Sequence, residues 1–271
     1  DEQFYSRLSV SGPMGRNVED VYGLLCAMAG VATFDPLSGF EDSLEFKSFR
    51  PAKLQGVKIG WLGDYNGYLE TEPGILDLCA AGLRRMEEAG AEVNAADSGF
   101  DMEKLWNAWL ILRNWSRIGA YPLYEDADKR KLLKPELIWE IERSKSITGA
   151  DLYAAAQTRS NWFLALDALF RKFDFLVLPS AQVFPFSRNT HWPSMINAKA
   201  MDTYHRWMEV VIGPTLAGLP TVNVPVGFDM RGRPMGMQIF GRYGADRAVL
   251  ELAAAYQERT EWLSVRPALP V

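Results

Sequence analysis

The sequence predicts an α/β fold, and three features carry that prediction. Residues 57–62 are a short apolar run with strand character, and residues 91–95 are predicted to form the next strand. Between them, segment 71–90 has helical spacing of apolar residues. A strand–helix–strand unit of this kind implies parallel strands and a right-handed crossover. Residues 175–178 have the composition of a buried strand. Two further apolar runs between residues 220 and 240 flank a charged turn, which indicates a β-hairpin.

The helices in the first third of the chain follow from caps and periodicity. Asn17 can cap a helix whose apolar residues recur at helical spacing, and Gly30 can end it. Residues 31–51 contain several turn-forming pairs and are predicted to be loop. Thr71 can cap the crossover helix of the strand–helix–strand unit.

Residues 101–172 form a predicted helical middle section. Helices are expected at 102–121 and 135–145, followed by a long helix that Asp151 can cap. A helix through Tyr204, Trp207 and Val211 follows the buried strand, and the last helix is expected to start at Asp246.

Composition excludes several classes of protein. Among 271 residues, 48% are hydrophobic and 23% charged, which excludes disordered, collagen-like and coiled-coil chains. A net charge of -5 gives no reason to expect a nucleic-acid or anionic-membrane partner, and no apolar run has the length of a membrane span. Two cysteines and two histidines argue against a disulfide framework and against a metal site. We expect a cytoplasmic protein without a metal or cofactor.

The loop after the buried strand is the candidate ligand site. Pro179 and Ser180 stand at the end of that strand, where α/β sheets place ligands. His191 and Trp192 lie further along the loop and are candidate ligand contacts. Ser144, Lys145 and Ser146 place two hydroxyls beside an amine, but adjacent helical residues point in different directions, so a solvated helix end is favoured. The residues alone identify no catalytic group.

Four segments carry more information when they are taken together. They are SGPMGRNVED at residues 11–20, DFLVLP at 174–179, AGLPTVNVPVG at 217–227 and RPMGMQIFGR at 233–242. Their order and spacing resemble the amidase signature family over essentially the whole chain. The resemblance assigns structural motif roles to Gly12, Pro13, Arg16, Asp20, Gly218, Pro220, Pro225, Gly227 and Gly236.

Two positions depart from the family pattern. Ser9 stands where the family often has an aspartate that supports the nucleophile loop, and Gly15 replaces the alanine of the first motif. The first departure weakens any transfer of active-site support to this chain.

The resemblance implies a mixed, largely parallel twisted sheet covered by helices on both faces, in a single domain over residues 1–271. It also implies amide hydrolysis through a serine acyl-enzyme by a Ser–Ser–Lys triad, without a cofactor. The family places this triad before the GPMAR-type segment, so we expect it upstream of Asp1 and expect this chain to be a C-terminal portion, inactive alone. The implied partner is a small-molecule amide, and a homo-oligomer is an open alternative. The loop after Pro179 would line the acyl pocket.

Three hypotheses remain open at this point. The chain is part of an amidohydrolase completed by an upstream segment, a non-catalytic family remnant that binds a ligand or partner, or an amidotransferase-type subunit that works in a complex.

Overall fold

The computed structural model describes residues 7–35, 38 and 49–266. The predicted loop at 31–51 therefore lies partly outside the described residues. The helices are α1 Val18–Met28, α2 Ile75–Glu87, α3 Met102–Ser116, α4 Tyr121–Glu125, α5 Ala127–Arg130, α6 Pro135–Ser144, α7 Gly149–Phe170, α8 Ile212–Ala217 and α9 Asp246–Gln257. The strands are β1 Lys58–Trp61, β2 Glu92–Ala95, β3 Phe175–Pro179, β4 Met195–Ile196, β5 Lys199–Ala200, β6 Thr221–Phe228 and β7 Pro234–Phe240. Two 3₁₀ turns span Arg117–Ala120 and Arg206–Val211.

The main sheet has five strands in the order β2-β1-β3-β7-β6. β1 pairs in parallel with both β2 and β3, whereas β7 is antiparallel to β3 and to β6. The α/β prediction is confirmed, including the strand–helix–strand unit and the hairpin. Strands β4 and β5 form a small separate hairpin within the predicted loop after β3.

Helices cover both faces of the sheet, as the resemblance implies. Because side chains alternate along a strand, Val177 packs with α1, α2 and α9 on one face, while its neighbour Leu176 packs with α3, α7 and α8 on the other. Trp106 and Trp162 are fully buried in the second layer. Both tryptophans therefore serve as packing residues of this layer.

Four predicted helix boundaries were wrong. The helix expected at 102–121 ends at Ser116, where the backbone tightens into the 3₁₀ turn at Arg117–Ala120. Helix α2 begins at Ile75 after Gly74, whose φ of 94° is left-handed, and so Thr71 does not cap it. Helix α7 is capped by Thr148, and Asp151 is its third residue, in a reciprocal capping box. The segment predicted as a helix through Tyr204 is a 3₁₀ turn at Arg206–Val211 with non-helical backbone at Met208, followed by α8.

Within the described residues, no helix combines the length and apolar character required to cross a bilayer.

Candidate functional site

The carboxyl end of β3 brings three of the sequence-predicted residues together. Pro179 is the last residue of β3, and the Ser180 backbone N–H donates to the Gly236 carbonyl at 3.0 Å. The amide of Gln238 donates to the Pro179 carbonyl at 2.8 Å and to the Val210 carbonyl at 3.3 Å. Strand β3, strand β7 and the 3₁₀ turn are therefore joined at the point where α/β folds bind ligands.

An open hollow of about 360 Å³ lies at this junction. A Cβ at Gly236 would lie 2.9 Å from the Val224 carbonyl oxygen and 3.0 Å from Ser180 Oγ, so the close approach of these segments requires glycine. The hollow is lined by Ser180, Ala181, Val183, Phe184, Pro185, Phe186, Trp207, Pro234, Met235 and Gly236.

A buried glutamine fixes the start of the loop after β3. Gln182 is 2% exposed; its amide donates to the Glu70 carbonyl at 3.0 Å and accepts from the Val210 N–H at 3.1 Å. The Phe184 N–H donates to Glu72 Oε2 at 3.0 Å. Sequence reasoning missed Gln182 and Gln238. A glutamine inside the apolar run of β7 was the available signal, because a buried amide needs partners.

The other two predicted ligand contacts lie elsewhere on the loop. His191 Nε2 lies 2.5 Å from Glu136 Oε1 of α6, and the His191 side chain is 63% exposed. Trp192 meets the ring of Tyr204 edge-on and packs against a small cluster of Val183, Ile196 and Met201. Neither residue lines the hollow, and their contact with a ligand stays a prediction.

A buried ionic cluster ties the loop to the helical layer. His205 directly precedes the 3₁₀ turn, is 3% exposed and lies with its Nε2 3.1 Å from Glu140 Oε1. Glu140 also accepts a 2.6 Å hydrogen bond from Arg113 Nε. Burial alone would raise the pKa of Glu140, but hydrogen bonds and positive charge from His205 and Arg113 bring it below its usual value.

A second cluster surrounds Arg206. Its guanidinium binds Glu103, Asp202 and Glu209 and lies over the ring of Trp106 at 4.4 Å. Burial raises the pKa of Glu209 even though Arg206 opposes the shift. These contacts fix the 3₁₀ turn that supplies Trp207 to the hollow.

The Ser144, Lys145 and Ser146 cluster is not a hydrogen-bonded catalytic unit. Ser144 Oγ donates to the Ile141 carbonyl, Ser146 Oγ donates to the Arg143 carbonyl, and Lys145 Nζ lies over two tyrosine rings. Each group is engaged locally at the end of α6.

A second hollow, of about 300 Å³, lies along the outer edge of β6 between α1 and α9. Two motif residues, Arg16 and Pro225, line it. The Arg16 guanidinium donates to the Leu263 and Val265 carbonyls, and the Tyr256 hydroxyl donates to the Pro225 carbonyl at 2.8 Å. The first and third motifs therefore meet in space.

The remaining motif residues lie at turns, at a strand bulge and at the ends of helices and strands. Gly218 ends α8 with a left-handed φ of 65°, and Gly227 has a φ of 135° at a bulge in β6. The Asp20 N–H donates to the capping side chain of Asn17. The Pro220 carbonyl accepts from the Gly241 N–H. Gly12 is exposed and Pro13 half-buried, just before α1.

Across residues 7–35, 38 and 49–266, no group of three or more histidine, cysteine or carboxylate side chains is placed to hold a metal ion.

Comparison with known proteins decides the family. A sequence model described as Amidase matches residues 3–250. The chain belongs to the amidase signature family. That membership agrees with the four sequence segments and with the mixed sheet. It also agrees with the way these segments meet at the ends of β3, β6 and β7.

Relatives within the amidase signature family match nearly all of this chain. An acylamidase of Rhodococcus erythropolis is 26% identical over 261 residues, which are 95% of this chain and 54% of that protein. A glutamyl-tRNA(Gln) amidotransferase subunit of Synechococcus sp. (strain JA-3-3Ab) is 30% identical over 295 residues, 98% of this chain and 55% of that protein. A solved bacterial aryl acylamidase of the family superposes with a TM-score of 0.84 at 25% identity, covering 95% of this chain and 55% of that one. The chain thus spans about half the length of the curated relatives it matches.

Proposed function

We infer that this chain is part of an amidohydrolase that cleaves a carboxylic amide through a serine acyl-enzyme. The observation that carries the proposal is the family match over residues 3–250, joined to a hollow at the carboxyl end of β3 that Ser180 and the motif residue Gly236 line. This chain supplies the five-stranded β2-β1-β3-β7-β6 sheet and one wall of the substrate site. The Ser–Ser–Lys triad is supplied by sequence upstream of Asp1.

The reaction proceeds in two stages. A neutral lysine accepts a proton, through the bridging serine, from the nucleophilic serine, whose oxygen forms a bond to the amide carbon. Backbone N–H groups of the nucleophile loop stabilise the oxyanion. The C–N bond then breaks, the amine leaves with a proton, and water hydrolyses the acyl-enzyme to free the acid. No step requires a metal or an organic cofactor.

An amidotransferase role is the second candidate. The favouring observation is the 30% identity to a glutamyl-tRNA(Gln) amidotransferase subunit over 98% of this chain. In that role, the same acyl-enzyme chemistry would release ammonia from glutamine for use by a partner protein. Copurification with partner proteins and glutamine-dependent ammonia release favour this candidate over a free-standing hydrolase.

Two measurements on the protein purified from its natural source test the proposal. The intact mass is expected to be well above 30.5 kDa, and amine release from simple amides is expected to be measurable. A natural mass of 30.5 kDa with no amide hydrolysis would instead establish the non-catalytic remnant.

A further inference from the structure

The hollow beside Ser180 is walled by large apolar side chains. We propose that it binds an aromatic ring, so that the amides this site takes are those with an aryl or arylalkyl group. The substrate part of this proposal rests on the proposed function, whereas the ring-binding part concerns the described residues alone. The volume of about 360 Å³ is roughly twice that of an engineered apolar cavity of about 150 Å³ known to bind benzene.

Two aromatic side chains give the hollow its recognition surface. The rings of Phe186 and Trp207 meet edge-to-face, with centroids 5.4 Å apart and planes at 89°. Phe186 remains 41% exposed, so one side of this pair is open to a third ring. Aromatic rings prefer such offset or perpendicular contacts at about 4.5–7 Å, and these contacts add stabilisation beyond area burial.

A thioether and a hydroxyl complete the lining. Met235 is 5% exposed, and its sulfur lies 3.9 Å from Ser180 Oγ. Methionine sulfur makes favourable contacts at the edge of an aromatic ring. The Ser180 hydroxyl supplies the one side-chain hydrogen-bonding group, other than the Trp207 indole, among the described lining residues. Pockets for small molecules combine an apolar wall with a few polar groups in this way.

The lining favours a neutral ligand. None of the residues that line the hollow, all of them within the described ranges, is ionisable. The charged groups beside the lining are already paired: the Arg233 guanidinium lies 4.7 Å from the centre of the Phe184 ring and pairs with Asp229 and Glu72. A charged group placed in this hollow would lose hydration without gaining a partner.

The wall is held in place before any ligand arrives. Gln182 is hydrogen bonded on both sides, and the Phe184 N–H is bound to Glu72. Arg206, bonded to three carboxylates at the start of the 3₁₀ turn, fixes the neighbouring Trp207. Little ordering is then required on binding, and preorganisation of this kind strengthens affinity.

Fluorine NMR on the 1–271 chain tests ring binding, with 4′-fluoroacetanilide as the aromatic probe and N-(2-fluoroethyl)acetamide as the aliphatic one. We expect saturable line broadening with the aromatic probe and about tenfold weaker binding by Phe186→Ala. Trp207→Leu provides a second variant on the same wall. Phe163→Ala removes an exposed phenylalanine from α7, away from the hollow, and is the matched control.

The outcomes separate the two proposals. The ring site would be overturned by any of three results: equal binding of both probes, no saturable binding, or the same affinity in Phe186→Ala and Phe163→Ala. Saturable aromatic binding by the chain, with no amide hydrolysis by the natural protein, supports the ring site and refutes the proposed function. Hydrolysis with equal kcat/KM for anilides and aliphatic amides, unchanged by Phe186→Ala, refutes the ring site and keeps the amidase.

Discussion

Replacing Glu140 with glutamine tests whether the buried ionic cluster stabilises the layer that carries the substrate-site loop. Glu140 is 3% exposed and faces Arg113 Nε at 2.6 Å, His205 Nε2 at 3.1 Å and Arg117 Nε at 3.9 Å. Glu140→Gln keeps the shape but leaves these positively charged or polar groups without their carboxylate. Removing one partner of a buried ion pair costs about 3–5 kcal/mol, which corresponds to a fall in Tm on the order of 10 °C.

Glu142 offers a matched control on the same helix. Its carboxylate also has two partners, the Tyr124 hydroxyl at 2.9 Å and Arg130 Nη2 at 3.3 Å, but it is 50% exposed. Exposed ion pairs contribute about 0–1 kcal/mol, so Glu142→Gln is expected to leave stability nearly unchanged. Urea denaturation followed by tryptophan fluorescence, at several pH values, measures both variants.

The pH dependence gives a second readout for the same variant. Folding lowers the pKa of Glu140 below its ordinary value of 4.5. The ionised carboxylate therefore contributes its full stabilisation above the unfolded-state pKa. This stabilisation is lost as the pH falls through the lower folded-state pKa. At neutral pH, Glu140→Gln is therefore expected to have a lower free energy of unfolding than the parent. On acidification, the free energy of unfolding of the variant is expected to fall by less than that of the parent. Equal free energies of unfolding for Glu140→Gln and Glu142→Gln would refute the reasoning.

Three further changes test other contacts. Gly236→Ala places a Cβ 2.9 Å from the Val224 carbonyl oxygen and is expected to lower the free energy of unfolding, measured in urea, by about 1–3 kcal/mol. The control Gly119→Ala, where a Cβ meets nothing within 4 Å, is expected to be neutral. Equal changes in the two variants would contradict the close approach at Gly236. Thr148→Ala removes the cap of α7 and is expected to cost about 1 kcal/mol; an unchanged denaturation midpoint would rule out the capping box. Burial raises the pKa of the Cys79 thiol to about 12, so an aromatic disulfide reagent at mildly alkaline pH is expected to leave it unmodified until urea unfolds the chain, and rapid reaction of native Cys79 would show that it is accessible.

The sheet could be predicted because its strands are locally marked. Strands β1, β3, β6 and β7 are short, largely apolar runs bounded by turn residues, and that pattern depends on neighbours in sequence. Where a boundary depended on contacts across the fold, the sequence misled. Thr71 has the side chain of a good cap, but its carbonyl accepts from Asn197 Nδ2, and the helix starts later, after Gly74.

The site could be predicted only in part, for the same physical reason. Pro179, Ser180 and Gly236 were found because a buried strand and a sequence motif mark them. The amides that hold them were missed, since Gln238 bonds to Pro179 across 59 residues and Gln182 bonds to Glu70 across 112. The pairing of His205 with Glu140 likewise joins two elements that no spacing in the sequence relates.

Covalent labelling with a fluorophosphonate, followed by mass spectrometric mapping of the labelled serine, tests the central claim most directly. The account predicts that the protein from its natural source is labelled on a serine upstream of Asp1 and hydrolyses amides. It also predicts that the 1–271 chain alone is neither labelled nor active. The account would be contradicted by a stoichiometric label on a serine within residues 1–271, above all on Ser180 in the hollow, together with amide hydrolysis by the chain alone.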